Sequence, residues 1–279
     1  MSERLDIGPA PSTGFVNTGS EWLDVHFEAM RPEYQRAVNL VPFQPSWHIL
    51  DAGCGAGSFI PLLAERVGPD GRLTAIDLDP DSIETARNKF STSPPAAPVE
   101  FQVANLNDLP FPDNHVDAVW LASVLMYVTE DELPAVIDEL KRVVRPGGLI
   151  AAKEADGEML RYLPMPMEYR TPFYSMDQVI SGMYRARFLR YWFEGAGLND
   201  VWSQTILVER WQPLRPVERE YIAGLMRGGV RLSEQLDMSD EARQWWQQQV
   251  DPDSPEAILN RPDFAYLAGH VVTVGRVTG

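Results

Sequence analysis

The chain has 279 residues, of which 44% are hydrophobic and 23% are charged, a composition typical of a globular protein. Its formal net charge of −16 argues against a nucleic-acid partner, because a polyanion needs a basic binding face. The single cysteine, Cys54, excludes an intramolecular disulfide bond and a cysteine-rich zinc site. We predict no metal site, no membrane span and no secretory signal, and therefore expect a cytoplasmic protein.

The first half of the chain alternates between short apolar strands and amphipathic helices. A first helix is predicted from Glu21 to Val41, with Pro32 at a helix start or a kink. The strands that follow are predicted in WHILDAG, GRLTAIDLD, VEFQVAN, VDAVWLAS and GGLIAAKEA, and the helices in SFIPLLAERVG, PDSIETARNKF and EDELPAVIDELKRVV. This order predicts a parallel sheet with helices on both faces.

Beyond Ala155 the pattern changes. The stretch DGEMLRYLPMPMEYRTPFYSMDQVISGMY is rich in Met, Tyr and Pro and resembles no regular strand. After it we predict a helix in RARFLRYWFEGAGL, a strand in DVWSQTILVERW, helices in VEREYIAGLMRGG and SDEARQWWQQQV, and a last strand in YLAGHVVTVGRV. The predicted fold class is α/β: a Rossmann-like, doubly wound, mostly parallel seven-stranded sheet with a mainly helical lid formed by insertions.

A glycine-rich turn follows the first predicted strand in ILDAGCGAGSF, where Gly53, Gly55 and Gly57 alternate with other residues. Such a turn lets a ligand approach the backbone without meeting a Cβ atom. Asp51, just before the turn, suits a cationic group and would be awkward beside a pyrophosphate. Asp77, at the end of the second strand, is placed to accept from a ribose diol. S-adenosylmethionine combines a ribose and a cationic amino-acid end with no phosphate, and it fits these constraints.

Four blocks in the same order extend this interpretation: ILDAGCGAGSF, LTAIDLDPDSIETAR, VANLNDLPFPDNHVDAVW and LKRVVRPGGLIAAKE. Through them the sequence resembles the class I S-adenosylmethionine-dependent methyltransferases, closest to the type found in ubiquinone and menaquinone biosynthesis. The resemblance runs from about Trp47 to Glu154. It covers over a third of the chain.

The resemblance implies a role for each matching position. Asp51 and the turn of Gly53, Gly55 and Gly57 would hold the methionine end of the cofactor, and Asp77 would accept from the ribose hydroxyls. Leu78 and Leu106 would lie against the adenine, and Asn105 would accept from the adenine amino group where the family usually has Asp. Ser123, at the start of SVLMY, would face the sulfonium and the methyl group.

The methyl acceptor is predicted to bind under lid segments at 1–45, 157–190 and about 215–262. Met and aromatic side chains together make an adaptable apolar wall, which favours an apolar or aromatic acceptor over a sugar or a peptide. In the first insertion these residues are Met159, Tyr162, Met165, Met167, Tyr169, Phe173, Tyr174, Met176, Met183 and Tyr184.

Candidate proton-handling residues are His26, Tyr34, Tyr169, Tyr174 and Glu209, and we select His26, Tyr169 and Glu209 as the catalytic candidates. His48, His115 and His270 are interpreted as structural. An anionic acceptor is the minor alternative, and its candidate ligands are Arg170, Arg185, Arg187 and Arg210.

The sequence thus predicts methyl transfer from S-adenosylmethionine to a hydrophobic or aromatic small molecule, in the biosynthesis of a specialised metabolite or a quinone. Whether oxygen, nitrogen or carbon is methylated stays open, and carbon methylation of a prenyl or quinone-type substrate is one alternative. Others are a non-methylating reaction such as cyclisation, a nicotinamide dehydrogenase and a scaffold protein. The predicted segments are an N-terminal lid (1–45), the cofactor-binding core (46–156) and lid insertions with the last strands (157–279). A homodimer is the candidate assembly.

Overall fold

The computed structural model describes residues 20–166, 169, 182, 184–233, 238–249 and 254–279. These residues form a seven-stranded sheet with the strand order β3-β2-β1-β4-β5-β7-β6. The strands are β1 (His48–Ala52), β2 (Arg72–Asp77), β3 (Val99–Val103), β4 (Val116–Ala122), β5 (Val144–Leu163), β6 (Asn199–Trp211) and β7 (Ala265–Arg276). Strands β1 to β5 pair in parallel, whereas β7 runs antiparallel to both β5 and β6.

Helices cover both faces of this sheet, which confirms the predicted α/β, Rossmann-like class. They are α1 (Ser20–Leu40), α2 (Ile60–Val67), α3 (Pro80–Thr92), α4 (Leu133–Val143), α5 (Leu189–Gly195), α6 (Pro216–Ser233) and α7 (Asp240–Gln249). Successive residues of a strand point to opposite faces. Accordingly, Ile49 and Trp120 pack with α1 and α2, whereas Leu50 and Leu121 pack with α4 and α5. In the described part of the chain, no helix is both long and apolar enough to cross a bilayer.

Strand β5 is longer than the sequence indicates. The predicted strand ends at Ala155 and an irregular insertion follows, but the strand continues to Leu163 and pairs Tyr162 with Tyr266 of β7. The prediction of irregular structure directly after Ala155 was therefore wrong. The register shifts between Asp156 and Arg161, and this irregularity interrupts the alternation by which a strand is recognised in a sequence.

The long strands β5, β6 and β7 continue past the carboxyl ends of β1 and β4. Lys153 pairs with Ala122, the last residue of β4, and ten further residues of β5 follow Lys153. Helices α1 and α6 pack over one face of this three-stranded extension. The extension and these two helices therefore form a wall beside the edge at which parallel α/β sheets bind their ligands.

Candidate cofactor and acceptor site

The glycine turn after β1 has a backbone that side chains would obstruct. Gly53, Gly55 and Gly57 have φ angles of +79°, +52° and +79°. A Cβ atom on Gly53 would lie 2.5 Å from Cγ2 of Val124, and one on Gly57 would lie 2.6 Å from Cε2 of Phe90. Glycine alone avoids both the strained conformation and these contacts, so the turn leaves its backbone open to a ligand.

Two carboxyl groups on neighbouring strands flank this turn. Asp51 is buried, and its Oδ2 has no hydrogen-bond partner among the described residues. Burial and the neighbouring Asp77 raise the pKa of Asp51 to about 8. Asp77 accepts at Oδ2 from the Gly55 N–H (2.7 Å) and at Oδ1 from the Asp79 N–H (3.0 Å). Because a buried acceptor without a donor is costly, Asp51 fits a ligand that brings an ammonium group.

The ends of β2 and β3 expose apolar side chains. Leu78 is 42% exposed and Val103 is 47% exposed, and exposed apolar side chains at this edge suit contact with a flat apolar ring. Leu106 is partly buried nearby in sequence. Asn105 is exposed and accepts at Oδ1 from the Asn107 N–H (3.0 Å), which leaves one lone pair of that oxygen for a ligand. The adenine roles of Leu78, Asn105 and Leu106 stay predictions.

Ser123, directly after β4, has φ +59°, an uncommon value for a residue other than glycine. Its N–H donates to the Lys153 carbonyl (2.7 Å), and its Oγ accepts from the Lys153 Nζ (2.8 Å). On the other face of β5, Glu154 accepts from the backbone N–H groups of Val124 and Leu125. The segment predicted to face the methyl group is thus held by two adjacent residues of β5.

The three catalytic candidates lie in different surroundings. His26 is partly buried, its Nε2 shares a 2.6 Å hydrogen bond with the Tyr34 hydroxyl, and its ring stacks on that of Tyr221. Burial and Lys153 lower the pKa of His26 to about 3, so its imidazole is neutral at physiological pH. Tyr169 instead stacks on Trp245 of α7.

Glu209 is exposed on the edge strand β6. Glu209 and Arg210 are consecutive residues of β6, so their side chains point to opposite faces of the sheet. The Arg210 guanidinium contacts α1, and Glu209 therefore projects from the other face. The structure does not bring it together with His26. Its catalytic role stays a prediction.

The other candidates named from the sequence are engaged within the protein or undescribed. His48 bonds through Nε2 to Thr74 Oγ1 (2.8 Å). Arg185 donates to the Leu125 carbonyl (2.7 Å), and Arg187 pairs with Asp156 (2.5 Å). Arg170, Met167, Phe173, Tyr174, Met176 and Met183 lie outside the described residues.

Sequence analysis missed Lys153, the buried lysine of β5. It is 1% exposed, and its Nζ lies 4.4 Å from the centre of the Tyr34 ring. A charged residue within the apolar stretch LIAAKEA is the signal that could have identified it. His270 of β7, interpreted from the sequence as structural, lies in the same cluster, with its ring 5.2 Å from that of Tyr34.

Comparison with known proteins identifies the core of this site. Residues 49–148 match the family profile of a methyltransferase domain. Residues 49–148 are a class I methyltransferase domain. The predicted resemblance is confirmed for this part of the chain, and the cofactor of the domain is S-adenosylmethionine.

Curated relatives of the methyltransferase domain include two enzymes named for quinones. A demethylmenaquinone methyltransferase of Symbiobacterium thermophilum is 35% identical over 121 residues, which are 43% of this chain and 47% of the relative. A 2-phytyl-1,4-naphtoquinone methyltransferase of a Nostoc species is 31% identical over 132 residues, 47% of this chain and 56% of the relative. The chain thus spans about half the length of these relatives.

Solved structures share the fold beyond the methyltransferase domain. A SAM-dependent methyltransferase from Aquifex aeolicus superposes with a TM-score of 0.51 at 23% identity, over 66% of this chain and 91% of the other. The [4+2]-cyclase SpnF superposes with a TM-score of 0.51 at 19% identity, over 88% of this chain and 82% of the other. At these identities the likeness concerns the fold alone.

Proposed function

We propose that this protein transfers the methyl group of S-adenosylmethionine to a hydrophobic or aromatic small molecule. The observation that carries the proposal is the buried Asp51 Oδ2, which has no donor among the described residues and lies at a turn of three positive-φ glycines. A buried carboxylate in that position calls for a cation that approaches the backbone closely. The α-ammonium group of the cofactor meets both requirements.

The remaining cofactor contacts follow from the ends of the strands. We assign the methionine end to Asp51 with Gly53, Gly55 and Gly57, and the ribose hydroxyls to Asp77. Each carboxylate oxygen of Asp77 already accepts one backbone N–H and retains a lone pair for a hydroxyl. The adenine is assigned to Leu78, Asn105 and Leu106, and the methyl end to Ser123.

The acceptor is assigned to the wall formed by the long strands and by α1 and α6. Tyr162 and Met165 are buried on this wall, and Met159 packs so closely on Gly269 that a Cβ there would lie 2.5 Å from its sulfur. These apolar side chains suit a hydrophobic ring. The quinones in the names of the two curated relatives belong to that chemical class, which supports a quinone-type acceptor and keeps carbon methylation as an alternative.

The cofactor supplies a methyl carbon on a sulfonium, a leaving group that is already activated, for an in-line displacement. The protein therefore has to hold the acceptor in line with that carbon and to exclude water. Ser123 and the turn that follows it are held by Lys153 and Glu154, which fixes the position opposite the acceptor. His26 and Tyr169 remain proposals for proton handling, and Glu209 is the least supported of the three because it is exposed on the opposite face of β6.

Calorimetric titration tests the proposal. S-adenosylmethionine and S-adenosylhomocysteine should bind the wild-type protein, NAD should not, and Asp77→Ala should lose the binding. Asp138→Ala, which removes an exposed carboxylate on α4, is the matched control and should bind normally. Binding of NAD alone would contradict the proposal. Incubation with hydroxynaphthalenes and prenylated quinols, followed by mass spectrometry, separates methylation from a cofactor-assisted cyclisation, which leaves the acceptor without an added methyl group.

Partners, location and segment boundaries are proposals as well. We propose a small-molecule acceptor as the partner and no nucleic acid, since the net charge of −16 opposes a polyanion. A cytoplasmic location and a homodimer are proposed from the sequence. We also propose from the sequence that the chain is divided into an N-terminal lid (1–45), a cofactor-binding core (46–156) and lid insertions with the last strands (157–279).

A further inference from the structure

Lys153 is a buried ammonium group for which the described residues provide no carboxylate partner. Its Nζ donates one hydrogen bond, to Ser123 Oγ, and lies over the ring of Tyr34. An ammonium carries three protons, and a buried charge without a counter-ion is costly. Burial lowers the pKa of Lys153 to about 8, while Glu154, on the opposite face of the strand, acts to raise it. The position is therefore suited to an anionic group brought by a ligand.

His270 lies next to this ammonium and is also unpartnered. It is paired with Ala155 on β5, two residues beyond Lys153, and its side chain points to the same face. The ring is buried, and neither of its nitrogens has a hydrogen-bond partner among the described residues. Burial, Lys153, His26 and Arg210 lower the pKa of His270 well below its ordinary value, so the ring of the unliganded protein is neutral and has a lone pair open to a donor.

The other groups of this cluster come from four elements and the turn after β4, and none of them is a carboxylate available to Lys153. They are His26 and Tyr34 from α1, Ser123 after β4, Tyr221 from α6, Arg210 from β6 and Tyr266 from β7. The carboxylates on this face, Glu33 and Glu218, are both paired with Arg210. The cluster thus combines one ammonium, the paired guanidinium of Arg210 and two neutral imidazoles.

The cluster lies at the correct end of the sheet for the acceptor. Lys153 is the neighbour of Ala122 at the end of β4, and β4 separates it from β1, which carries Asp51. Neighbouring strands are about 4.8 Å apart, so Lys153 lies about 10 Å across the sheet from the cofactor turn. We assign the reactive centre to the region between the cofactor turn and the cluster.

We propose that the acceptor carries an acidic hydroxyl group, as a phenol or an enol does, and that Lys153 binds its oxyanion while His270 takes its proton. This inference rests on the proposed methyl transfer to an aromatic molecule. The O–H bond breaks and leaves its electron pair on oxygen, and the proton forms an N–H bond with a ring nitrogen of His270. The negative charge of the bound oxyanion offsets the positive charge of Lys153. It therefore favours the imidazolium form of His270. An oxyanion activates both the oxygen and the conjugated ring carbons, so oxygen and carbon methylation both remain open.

The test uses 1-naphthol, whose ionised form absorbs at longer wavelength than the neutral form. The wild-type protein is saturated with S-adenosylhomocysteine, and the absorbance of bound naphthol is followed from about pH 6 to about pH 9, the range around the lowered pKa of Lys153. We expect the pKa of bound naphthol to fall by at least one unit, a tenfold gain in ionisation, relative to free naphthol. We also expect little proton release to the buffer, because His270 keeps the proton.

Variants assign the shift to its residues. Lys153→Met should abolish it, and Lys153→Gln, which keeps a donor for Ser123, should abolish it as well. Lys141→Met removes a partly buried lysine of α4, outside the cluster, and should leave the shift unchanged. His270→Phe should weaken the shift and release the proton of the remaining naphtholate to the buffer. Lys153→Gln, which keeps the hydrogen bond to Ser123, and His270→Phe should bind S-adenosylhomocysteine with the wild-type affinity.

Each contrary outcome overturns the inference in a distinguishable way. Naphthol that binds the wild-type protein without a pKa shift, or that does not bind at all, would overturn it while the cofactor titration still supports methyl transfer. A tenfold loss of S-adenosylhomocysteine affinity in Lys153→Gln would show that Lys153 binds the cofactor carboxylate instead. The wild-type measurement needs no variant, so the inference is tested even if a substitution prevents folding.

Discussion

Asp51 is a buried carboxyl group whose protonation should couple to cofactor binding. Its pKa is raised to about 8, so the group is largely protonated at neutral pH before a ligand binds. A cofactor ammonium favours the ionised form and displaces that proton. We therefore expect the Kd of S-adenosylhomocysteine to fall by up to tenfold per pH unit between about pH 5 and pH 7, as calorimetry in buffers of different ionisation enthalpy would show.

The substitution Asp51→Asn should weaken binding and remove its pH dependence. The raised pKa means that ionisation destabilises the folded, unliganded protein as the pH rises from about 4 towards 8. At about pH 8 the variant should therefore unfold at a higher urea concentration than the wild-type protein, although it binds less cofactor. Asp138→Asn should keep the wild-type dependence of the Kd on pH. If the Kd of Asp51→Asn still fell with rising pH, the assignment to Asp51 would be contradicted.

Gly53 should tolerate no side chain. Gly53→Ala combines a residue at φ +79° with a 2.5 Å approach to Val124, and we expect it to reduce the free energy of unfolding by about 1–3 kcal/mol. The double variant with Val124→Ala relieves the contact but not the backbone strain, so it should recover only part of the loss. Urea denaturation measures both.

Gly195→Ala is the matched control for that experiment. Gly195 ends α5, and a Cβ there meets nothing within 4 Å. Alanine favours a helix by up to about 1 kcal/mol over glycine, so this variant should be at least as stable as the wild-type protein. Equal losses for both substitutions would show that the turn has no special geometric requirement.

At the level of elements, Arg210 joins β6 to α1 and α6. Its guanidinium bonds Glu33 of α1 through both terminal nitrogens (2.8 and 2.6 Å), and its Nε lies 2.8 Å from Glu218 of α6. Arg210→Met would leave the partly buried Glu33 without its ion pair and Glu218 with Arg215 alone, and should cost up to about 3–5 kcal/mol of stability. Hydrogen exchange in α1 should accelerate at the same time.

The triple variant Arg210→Met, Glu33→Leu and Glu218→Leu separates charge from packing. Replacing a whole buried ion network by apolar residues is often neutral or stabilising, so the triple variant should recover most of the lost stability. The control is Arg190→Met, whose exposed pair with Glu194 contributes only about 0.3–0.5 kcal/mol. An Arg210→Met variant no less stable than Arg190→Met would contradict the role of Arg210.

The elements that the sequence predicts well are those whose pattern is local. Strand β1 is a short apolar run and α4 is strongly amphipathic, so each could be recognised from a window of its own length. The second half of β5 could not, because the irregularity after Asp156 hides the alternation and its partner β7 follows a hundred residues later. Pairing with β7, rather than local propensity, determines that this segment is a strand.

The same distinction applies to the site across the whole molecule. Asp51, the glycine turn and Asp77 lie within 27 residues of one another, and their spacing alone predicts a cofactor site. The cluster of Lys153 and His270 combines those two residues with His26 and Tyr34, which are more than 100 residues distant along the chain. Only the sheet order and α1 bring them together, so the sequence indicates a lid but not which of its side chains meet.

The two parts of the site should therefore respond to the cofactor together. Phe59, which follows the glycine turn closely, contacts Phe27 and Tyr34 of α1 with ring centres 5.3 and 5.1 Å apart. S-adenosylhomocysteine at about 100 times its Kd should stabilise the protein by about 2.7 kcal/mol. Through Phe59 it should also slow hydrogen exchange in α1, not only in β1 and β2. In Phe59→Ala, the ligand should still slow hydrogen exchange at the glycine turn but no longer in α1. In Phe90→Ala, which changes the residue on the other side of Gly57, the ligand should slow exchange in both places. Exchange slowed by the ligand only within residues 49–122 of the wild-type protein would show that α1 packs on the methyltransferase domain without responding to its cofactor.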